Sequence, residues 1–410
     1  MNTSYDLVII GGGIAGSSLA ATMAKAGRSV LVLEASEVFT DRVRGEWISP
    51  WGVAETRRLG LYDLLVGAGG HHLTRHATYD ETVTPDEVQE LPLSICLDGV
   101  PGPLCIGHPH HCQTLFDAAA AAGADMRRGV ELGALIFGAA PSVTFAHAGA
   151  TVTVKTRLIV GADGRASTVR EAAGIALHQD TPHHMFAGLL VDDVPDWETD
   201  LQSIGTEGDF AFLTFPQGGG RARVYGSFSL DQRRRFAGDD GPRAFLDAFR
   251  FKSAPKNAAI AAGRPAGPLL AYFNHDSWTD RPYAPGMVLI GDAAGWNDPI
   301  IGLGLSITYR DVRTVSEALK AADDWGEDLF AAYGEERFER MRRLRFAASL
   351  TSTLDAEFDD AARDRRARYH RRSKADPMLG ANAFAVFAGP ETLPPEMFTP
   401  ERRAFVLDGD

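Results

Sequence analysis

A glycine-rich turn near the N-terminus restricts the fold more than any other part of the chain. Residues 7–10 read LVII, a continuous apolar run that is typical of a parallel strand buried on both faces. GGGIAG follows at residues 11–16, and the alanine-rich residues 14–25 have the composition of a helix. The run VLVL at residues 30–33 predicts a second buried strand. This order of strand, tight turn, helix and strand predicts an α/β fold with a parallel sheet.

Three glycines of this turn have the spacing of a dinucleotide-binding fingerprint. Gly11 allows the tight turn, Gly13 lets the backbone approach a pyrophosphate, and Gly16 lets the helix pack closely on the strand. The first N–H groups of the helix, at Ile14 and Ala15, would offer the phosphates the positive end of the helix dipole. An ordinary glycine-rich turn between a strand and a helix is the alternative interpretation.

An acidic residue at the end of the second strand supports nucleotide binding. Glu34 lies 18 residues after Gly16, where its carboxylate can accept hydrogen bonds from both hydroxyls of an adenosine ribose. Because a carboxylate would repel a 2′-phosphate, the nucleotide held here is not expected to be NADP.

Two later strands also end in glycine turns that carry an aspartate. RLIVGADG at residues 157–164 places Asp163 after a buried strand. MVLIGDAAGWNDPIIGLGLS at residues 287–306 places Asp292 after another, and its two last glycines precede a helix whose free N–H groups favour negative charge. A ligand with an adenosine at one end, and with a polyol and a ring that becomes anionic at the other, would use both glycine clusters. That ligand is FAD.

Taken in order, Glu34, GADG at residues 161–164 and GD at residues 291–292 resemble the motifs of class A flavin-dependent monooxygenases of the para-hydroxybenzoate hydroxylase type. The motifs extend from residue 7 to residue 311, about three quarters of the chain. The resemblance implies a Rossmann-like FAD-binding domain with an inserted antiparallel sheet that binds substrate, followed by a helical C-terminus.

The resemblance also implies a role for each residue of the predicted cofactor site. At the adenosine end, the pyrophosphate would be held by Gly11, Gly13 and Gly16 with Ile14 and Ala15, the ribose would be bound by Glu34 with Ala35 beside it, and the adenine would be passed by the backbone around Val130. Asp163 would support the flavin chain and touch NAD(P)H, Asp292 would bind the ribityl hydroxyls, and Arg44 would contact FAD. Pro299 would lie near the isoalloxazine edge, and N–H groups near Gly302, Gly304 and Leu305 would meet the pyrimidine end of the ring.

The chain departs from the family pattern at three places. Gly295 stands where the family has the His of GDAAH, and residues 302–306 read GLGLS where the family has GxGxN. One of His108, His110 and His111 stands where the family often has an Arg or a Gln. These histidines with Cys112 also permit a metal cluster, but their spacing favours a loop and helix start beside the flavin, so no metal is expected.

The expected domains interleave along the chain. The FAD-binding domain is predicted over residues 1–75, 100–177 and 280–322, the substrate sheet over 76–99 and 178–279, and a helical region over 323–410, with a proline-rich extended stretch at 389–400. Six aromatic side chains of the sheet are candidates for a substrate pocket, with about half expected in the core: Phe186, Phe210, Phe212, Tyr225, Tyr272 and Phe273. Four groups are candidates for proton transfer: His183, His184, Tyr225 and His275.

Composition limits the partners and the compartment. The net charge of −13 argues against nucleic acid, and no apolar run approaches the ~18 residues that a membrane span needs. Three cysteines, Cys96, Cys105 and Cys112, and an N-terminus without a basic region favour the cytoplasm. The expected partners are a small-molecule substrate and O2, and the chain is expected to be a monomer or a homodimer.

The activity implied by the resemblance is that of an NAD(P)H-dependent monooxygenase. Reduced FAD would react with O2 to give a C4a-hydroperoxide, which would hydroxylate a small aromatic or polycyclic substrate. Two alternatives remain open at this point. One is an FAD-dependent reductase or dehydrogenase on the same fold, similar to the prenyl reductases, and the other is a non-catalytic protein that binds FAD or another ligand.

Overall fold

The structure is a computed structural model that describes residues 3–43, 45–194 and 197–409. Its strands, in chain order, are β1 (Ser4–Ile10), β2 (Val30–Leu33), β3 (Trp47–Ile48), β4 (His71–His72), β5 (Arg75–Asp80), β6 (Leu91–Pro92), β7 (Leu104–Cys105), β8 (Asp125–Arg127), β9 (Glu131–Ile136), β10 (Ser142–His147), β11 (Ala150–Gly161), β12 (His178–Gln179), β13 (His184–Asp192), β14 (Leu201–Glu207), β15 (Phe210–Gly218), β16 (Arg221–Phe228), β17 (Arg264–Pro265), β18 (Leu270–Asn274), β19 (Ser277–Trp278), β20 (Tyr283–Ala284) and β21 (Met287–Leu289).

Its α-helices are α1 (Ile14–Lys25), α2 (Pro50–Arg58), α3 (Tyr62–Gly67), α4 (His108–Ala121), α5 (Thr168–Ala172), α6 (Gly241–Asp247), α7 (Ala258–Ala262), α8 (Gly304–Ala321), α9 (Ala331–Asp355), α10 (Asp360–Ala375), α11 (Ala381–Ala388) and α12 (Pro400–Leu407). Along the described parts of the chain, every helix is too short or too polar to cross a bilayer.

A parallel sheet forms the base of the molecule, with the strand order β21-β11-β1-β2-β8. Leu7 and Ile9 of β1 pack in a core with α1, α4 and α8, whereas Val8 packs on the opposite face against β10 and β11. Burial on both faces explains why β1 reads as an uninterrupted apolar run. The carboxyl ends of β1, β11 and β21 therefore lie side by side and bring the three predicted glycine turns to one edge.

The second large sheet has the order β17-β13-β16-β15-β14-β5-β6, with β18 also paired to β13. Its described pairs are antiparallel except for β5 with β14. Side chains of β15 alternate: Phe210 and Phe212 enter a core with α6 and α7, while Leu213 and Phe215 face the other side. This other side packs against β3, α2, the start of α8 and the C-terminal helices α9 and α11.

The C-terminal region is helical, as predicted, but its proline-rich stretch is not extended. Pro390–Thr392 and Pro395–Phe398 form 3-10 turns, and α12 begins at Pro400. Thr399 caps α12 by accepting a hydrogen bond from the N–H of Arg402 at 3.3 Å. A proline after a capping threonine starts a helix, because its fixed φ suits the first turn.

The α/β fold with a Rossmann-like sheet, a second, largely antiparallel sheet and a helical C-terminus is confirmed. The boundaries of the three predicted domains remain predictions. Arg366 of α10 turns toward the second sheet, where it is buried and pairs with Asp80 of β5, whereas Lys374 pairs with Glu87 at the surface.

Candidate active site

A cavity of about 750 Å³ lies between the two large sheets and the C-terminal helices. Ligand pockets usually occupy about 300–1,000 Å³. Most of the predicted cofactor residues line it: Gly11, Gly13, Ile14, Ala15, Glu34, Ala35, Val130, Asp163, Asp292, Pro299, Gly302, Gly304 and Leu305. Gly16 lies behind this wall, and Arg44 lies outside the described residues. The structure thus brings residues from the whole first three quarters of the chain to one cavity, while their contacts with a cofactor remain predictions.

The glycines of the first turn differ in what a side chain would meet. Gly11 has φ +100°, and a Cβ atom there would lie 2.4 Å from the carbonyl oxygen of Ala162. A Cβ at Gly16 would lie 1.9 Å from the carbonyl oxygen of Gly11. A Cβ at Gly13 would meet no described atom within 4 Å, although Gly13 lines the cavity. Glycine is therefore required at positions 11 and 16 because backbone atoms of the protein pack closely there, whereas glycine at position 13 leaves space open for a ligand.

Two helix N-termini open onto the cavity. The residues that cap α1 and α8, Gly13 and Leu303, form no side-chain hydrogen bond with the first turn of their helices. The first N–H groups of each helix are therefore available to a ligand, and each helix presents the positive end of its dipole. This pair of sites suits a ligand with two separate anionic groups, such as a pyrophosphate and a ring that becomes anionic.

The carboxylate of Glu34 is held in place on the cavity wall. Its Oε2 accepts a hydrogen bond from the N–H of Gly12 at 2.6 Å, and its Oε1 accepts one from Ser36 at 2.8 Å. Each oxygen has a further lone pair for a hydroxyl donor. Val130 donates its N–H to the carbonyl oxygen of Glu34 at 3.1 Å and lies between β8 and β9 rather than within a strand.

The two predicted aspartates have different surroundings. Asp163 accepts hydrogen bonds from Ser167 Oγ at 2.5 Å and from the N–H of Val169 at 3.1 Å, so it holds its own turn together. Burial raises the pKa of this carboxyl. Asp292 is half-buried and pairs with Arg165 Nε at 3.2 Å. Arg165 also lies over the ring of Trp296, and the sequence motifs gave no sign of this cation at the cavity.

An arginine of α9 fixes the turn that carries Asp292. Arg337 donates hydrogen bonds to the carbonyl oxygens of Ala294 at 2.8 Å and Gly295 at 2.9 Å, and its Nε lies 3.0 Å from Asp311 Oδ2. The same Asp311 oxygen accepts a hydrogen bond from the N–H of Gly291 at 2.9 Å. Arg337 is 2% exposed, so these bonds are shielded from water.

A polar cluster lies next to Pro299, with Asp298 and His184 buried and His183 exposed. His183 Nε2 is 3.3 Å from Asp298 Oδ2, and His183 Nδ1 is 2.8 Å from His184 Nδ1. Each of the three residues offers one atom that could bind a metal ion, and these three atoms lie within 4.8 Å of one another. Burial raises the pKa of Asp298 to about 8 and lowers that of His184 to about 3. Asp276, whose carboxylate accepts the N–H of Asp298 at 2.8 Å, has its pKa raised to about 6 by burial. Near neutral pH, Asp298 therefore keeps its proton and His184 is neutral, while Asp276 is largely ionised.

Beyond the cofactor turns, the cavity has a part that we call the substrate lobe. It is lined by side chains from β3, the second sheet, α9 and α11: Trp47, His76, Gln202, Ile204, Leu213, Phe215, Thr351, Asp355, Ala383, Val386 and Phe387. The ring of Trp47 lies 6.0 Å from that of Phe215 and 5.9 Å from that of Phe387. Sequence reasoning missed this set, because its members are far apart in the chain and share no motif.

The polar groups of the lobe form an ordered chain of hydrogen bonds. Trp47 Nε1 donates to Gln202 Oε1 at 2.9 Å, and Gln202 Nε2 donates to His76 Nδ1 at 3.0 Å. His76 Nε2 then lies 3.0 Å from Thr78 Oγ1, to which it donates. Burial lowers the pKa of His76 to about 4, so the chain is neutral.

The aromatic candidates divide as the alternation of the strands requires. Phe186, Tyr225 and Tyr272 line the cavity, whereas Phe210 and Phe212 belong to the core on the other face of the second sheet. Phe273 is 53% exposed. Phe210 and Phe212 thus belong to the half that was expected in the core, and Phe273 faces away from the cavity because neighbouring residues on a strand face opposite sides.

The histidine candidates also separate. Tyr225 lines the cavity, while His183 and His184 belong to the cluster at Asp298 and His275 packs against the Trp296 ring. Of the three histidines at the start of α4, His108 lines the cavity, His110 lies 2.8 Å from the carbonyl oxygen of Ala68, and His111 lies 2.5 Å from the hydroxyl of Tyr309. Their side chains thus take three directions, and Cys112 Sγ lies 3.6 Å from His108 Nε2.

The residues present fit FAD. The open space at Gly13, the uncapped starts of α1 and α8, and the fixed carboxylate of Glu34 supply separate places for a pyrophosphate, an anionic ring and a ribose. Asp292, half-buried on the wall between them, supplies an acceptor for a polyol.

Comparison with known proteins agrees with this fit. A family model described as an FAD binding domain matches residues 4–347. Digeranylgeranylglycerophospholipid reductase 1 of Methanococcoides burtonii is 29% identical over 381 residues, which cover 86% of this chain and 83% of the relative. Squalene monooxygenase of Mus musculus is 24% identical over 376 residues, which cover 88% of this chain and 63% of the relative.

The fold is shared with a solved monooxygenase structure. The crystal structure of p-nitrophenol 4-monooxygenase PnpA from Pseudomonas putida DLL-E4 superposes with a TM-score of 0.81 at 19% identity, covering 95% of this chain and 99% of that one. The family match extends over more than half of the residues and includes every predicted cofactor turn. The chain therefore belongs to the family of flavoproteins built on this FAD-binding domain, as the motifs at Glu34, 161–164 and 291–292 predicted.

Proposed function

We propose that the protein is an FAD-dependent monooxygenase that takes electrons from NAD(P)H and transfers one oxygen atom of O2 to a small, largely apolar, aromatic or polycyclic substrate. The observation that carries this proposal is the single cavity that joins the cofactor turns to the apolar substrate lobe. A substrate in the lobe would lie against a flavin held by the turns, which is the geometry that oxygen transfer requires.

Each wall of the cavity has a task in this proposal. Bound FAD would supply the redox chemistry. The N–H groups at the start of α1 would bind its phosphates, and those at the start of α8 would stabilise negative charge on its ring. The aromatic side chains Trp47, Phe215 and Phe387 would exclude water from the reacting atoms. NAD(P)H would bind transiently, since the chain carries a single GxGxxG fingerprint.

A reductase of the same family is the second candidate. It is supported by the 29% identical digeranylgeranylglycerophospholipid reductase, which aligns with most of the chain. A reductase would use the same cofactor turns, and its substrate would gain hydrogen rather than oxygen. The apolar lobe suits either reaction, so the products must decide between the two candidates.

Two measurements test the proposal. Purified holoprotein is mixed anaerobically with NADH or NADPH, and we expect one of them to bleach the flavin absorbance. Turnover under ¹⁸O2 with an accepted substrate should then place one labelled oxygen in the product. A reduced product without label would support the reductase. A flavin that neither donor reduces, with or without candidate aromatic substrates, would contradict both enzymes and favour a ligand-binding protein.

We also propose that the protein is located in the cytoplasm and is a monomer or a homodimer. Cys96, Cys105 and Cys112 are buried free thiols, which suits a reducing compartment. Gel filtration with light scattering would give the oligomeric state.

A further inference from the structure

One carboxyl group lines the substrate lobe, and it has no protein partner among the described residues. Asp355 is the last residue of α9, and its backbone carbonyl accepts a hydrogen bond from Thr206 Oγ1 at 2.9 Å. Its carboxylate forms neither a hydrogen bond nor an ion pair within the described chain. The side chains of Trp47, Gln202 and His76 form hydrogen bonds with one another. Among the described residues of the lobe, Asp355 is therefore the acidic group with unused acceptor capacity, and the hydroxyl of Thr351 lies one helix turn before it.

The nearest charges do not neutralise Asp355, because they are engaged elsewhere. Arg366 of α10 lies 3.2 Å from Asp80 Oδ2 and donates to the carbonyl oxygen of Glu357 at 2.7 Å. His370 of α10 lies 3.8 Å from the same Asp80 oxygen. The remaining titratable neighbours are Tyr369 on α10 and the neutral His76 on β5. Burial and the negative Asp80 raise the pKa of Asp355 to about 6, although Arg366 and His370 lie nearby.

The position of this carboxyl is also unfavourable for the helix. The C-terminal end of a helix carries the negative end of its dipole, where a carboxylate is repelled. The carboxylate is half-buried on the cavity wall and has no protein donor among the described residues, which adds a further cost. A residue that breaks two local rules at the wall of a cavity indicates a role in binding rather than in folding.

We propose that Asp355 determines substrate specificity by accepting a hydrogen bond from one hydroxyl or N–H group on an otherwise apolar, aromatic substrate. The rest of the lobe would hold the ring system by apolar contact, and the single donor would set its orientation. The inference rests on the proposed function, since it takes the lobe as the place where the substrate binds.

The test uses FAD-loaded protein and two probes that differ by one donor, 2-naphthol and 2-methoxynaphthalene. Binding is followed as a perturbation of the flavin absorbance, which requires no turnover. We expect the wild-type protein to bind 2-naphthol about 10-fold more tightly than its methyl ether at pH 8, because a charged acceptor strengthens the hydrogen bond. Asp355→Asn should remove most of this preference while FAD affinity stays unchanged.

The pH dependence gives a second readout. A carboxylate accepts a hydrogen bond better than a carboxylic acid does, so wild-type affinity for 2-naphthol should rise as the pH increases from 5 to 8. Affinity for the methyl ether, and affinity of Asp355→Asn for either probe, should stay flat. Glu357→Gln is the matched control, because Glu357 lies two residues further on, pairs with Arg365 and does not line the cavity.

Two results would overturn the inference. One is a variant Asp355→Asn that keeps both the preference and its pH dependence. The other is a wild-type holoprotein whose flavin spectrum responds to neither naphthalene. Failure of the proposed function would be seen separately, as unlabelled product under ¹⁸O2, and would leave these binding results unaffected.

Discussion

At the scale of single residues, the first glycine turn separates a binding role from a packing role. Gly11 and Gly16 face backbone atoms of the protein at distances that exclude a Cβ, while Gly13 faces open cavity. The fingerprint predicts all three from sequence, because its spacing follows from local geometry. The structure adds that an added methyl group would extend into the cavity at Gly13, whereas at Gly11 and Gly16 it would overlap the protein backbone.

Gly13→Ala should therefore fold normally and bind FAD weakly. Its φ of −71° suits alanine, so the apoprotein should lose less than about 1 kcal/mol of unfolding free energy. Gly16→Ala should lose about 3 kcal/mol or more, because its Cβ would overlap a carbonyl oxygen. Urea unfolding of the apoprotein and titration with FAD measure the two effects. Gly67→Ala is the control for FAD affinity, because Gly67 does not line the cavity and a Cβ atom added there would contact no described atom within 4 Å. Equal FAD affinities of Gly13→Ala and Gly67→Ala would refute this assignment.

Asp298 should make stability depend on pH in a direction unusual for an aspartate. Its pKa is raised to about 8 by burial, above the ~3.9 of an unfolded chain, so the folded state keeps a proton that the unfolded state has lost. This stability is fully present below pH 4 and is lost as the pH rises through 8. Asp298→Asn should consequently gain stability relative to the wild type at pH 8, by on the order of 1–3 kcal/mol, and lose that advantage near pH 4. Thermal or urea unfolding at several pH values checks this, and a difference that does not change with pH would contradict it.

At the scale of elements, local patterns predicted the strands and helices that begin and end with strong signals. β1, α1 and β2 match their predicted residues closely, because an apolar run, an alanine-rich segment and glycine boundaries lie within one short stretch. The stretch 389–400 was predicted wrongly as extended, since its prolines occupy first positions of short helical turns. The clamp of Arg337 on residues 291–295 was not predictable, because nothing in the sequence of α9 indicates which loop it will meet.

This clamp makes α9 part of the cofactor site. Arg337→Met should lower the unfolding free energy by about 3 kcal/mol, because it leaves carbonyl groups and part of Asp311 buried without their donor. FAD affinity should fall as well, since the turn with Asp292 loses its support. Arg342→Met is the control, because the Arg342–Glu339 pair is exposed and should contribute under about 1 kcal/mol. The double variant with Asp311→Asn should cost less than the sum of its parts; full additivity would show that the two residues act independently.

At the scale of the whole molecule, the cavity belongs to no single layer. The parallel sheet supplies the cofactor turns, and the second sheet supplies Gln202 and Phe215. The C-terminal helices supply Asp355 and Phe387. Sequence motifs predicted the cofactor half, whose residues lie at strand ends that a parallel sheet must bring together. They did not predict the substrate half, because Trp47, His76 and Gln202 meet only through long-range packing.

FAD should therefore stabilise the molecule as one unit. At 100 times its dissociation constant, FAD should raise the unfolding free energy by about 2.7 kcal/mol. The unfolding curve should keep a single transition, because the walls of the site come from both sheets and from α8. Riboflavin lacks the pyrophosphate and the adenosine, so it should stabilise less at the same concentration. A second transition that FAD leaves unmoved would show that part of the molecule unfolds independently of the cofactor.

The pairing of β1 has a consequence for how the protein is made. Leu7 of β1 pairs with Leu158 of β11, and β11 in turn pairs with β21, whose residues 287–289 come much later in synthesis. At ~5–20 residues per second, a ribosome leaves one side of this apolar strand without its neighbour for on the order of ten seconds. The nascent chain must therefore carry an exposed, aggregation-prone edge through much of its translation, and its final folding must wait until the second half of the chain has emerged.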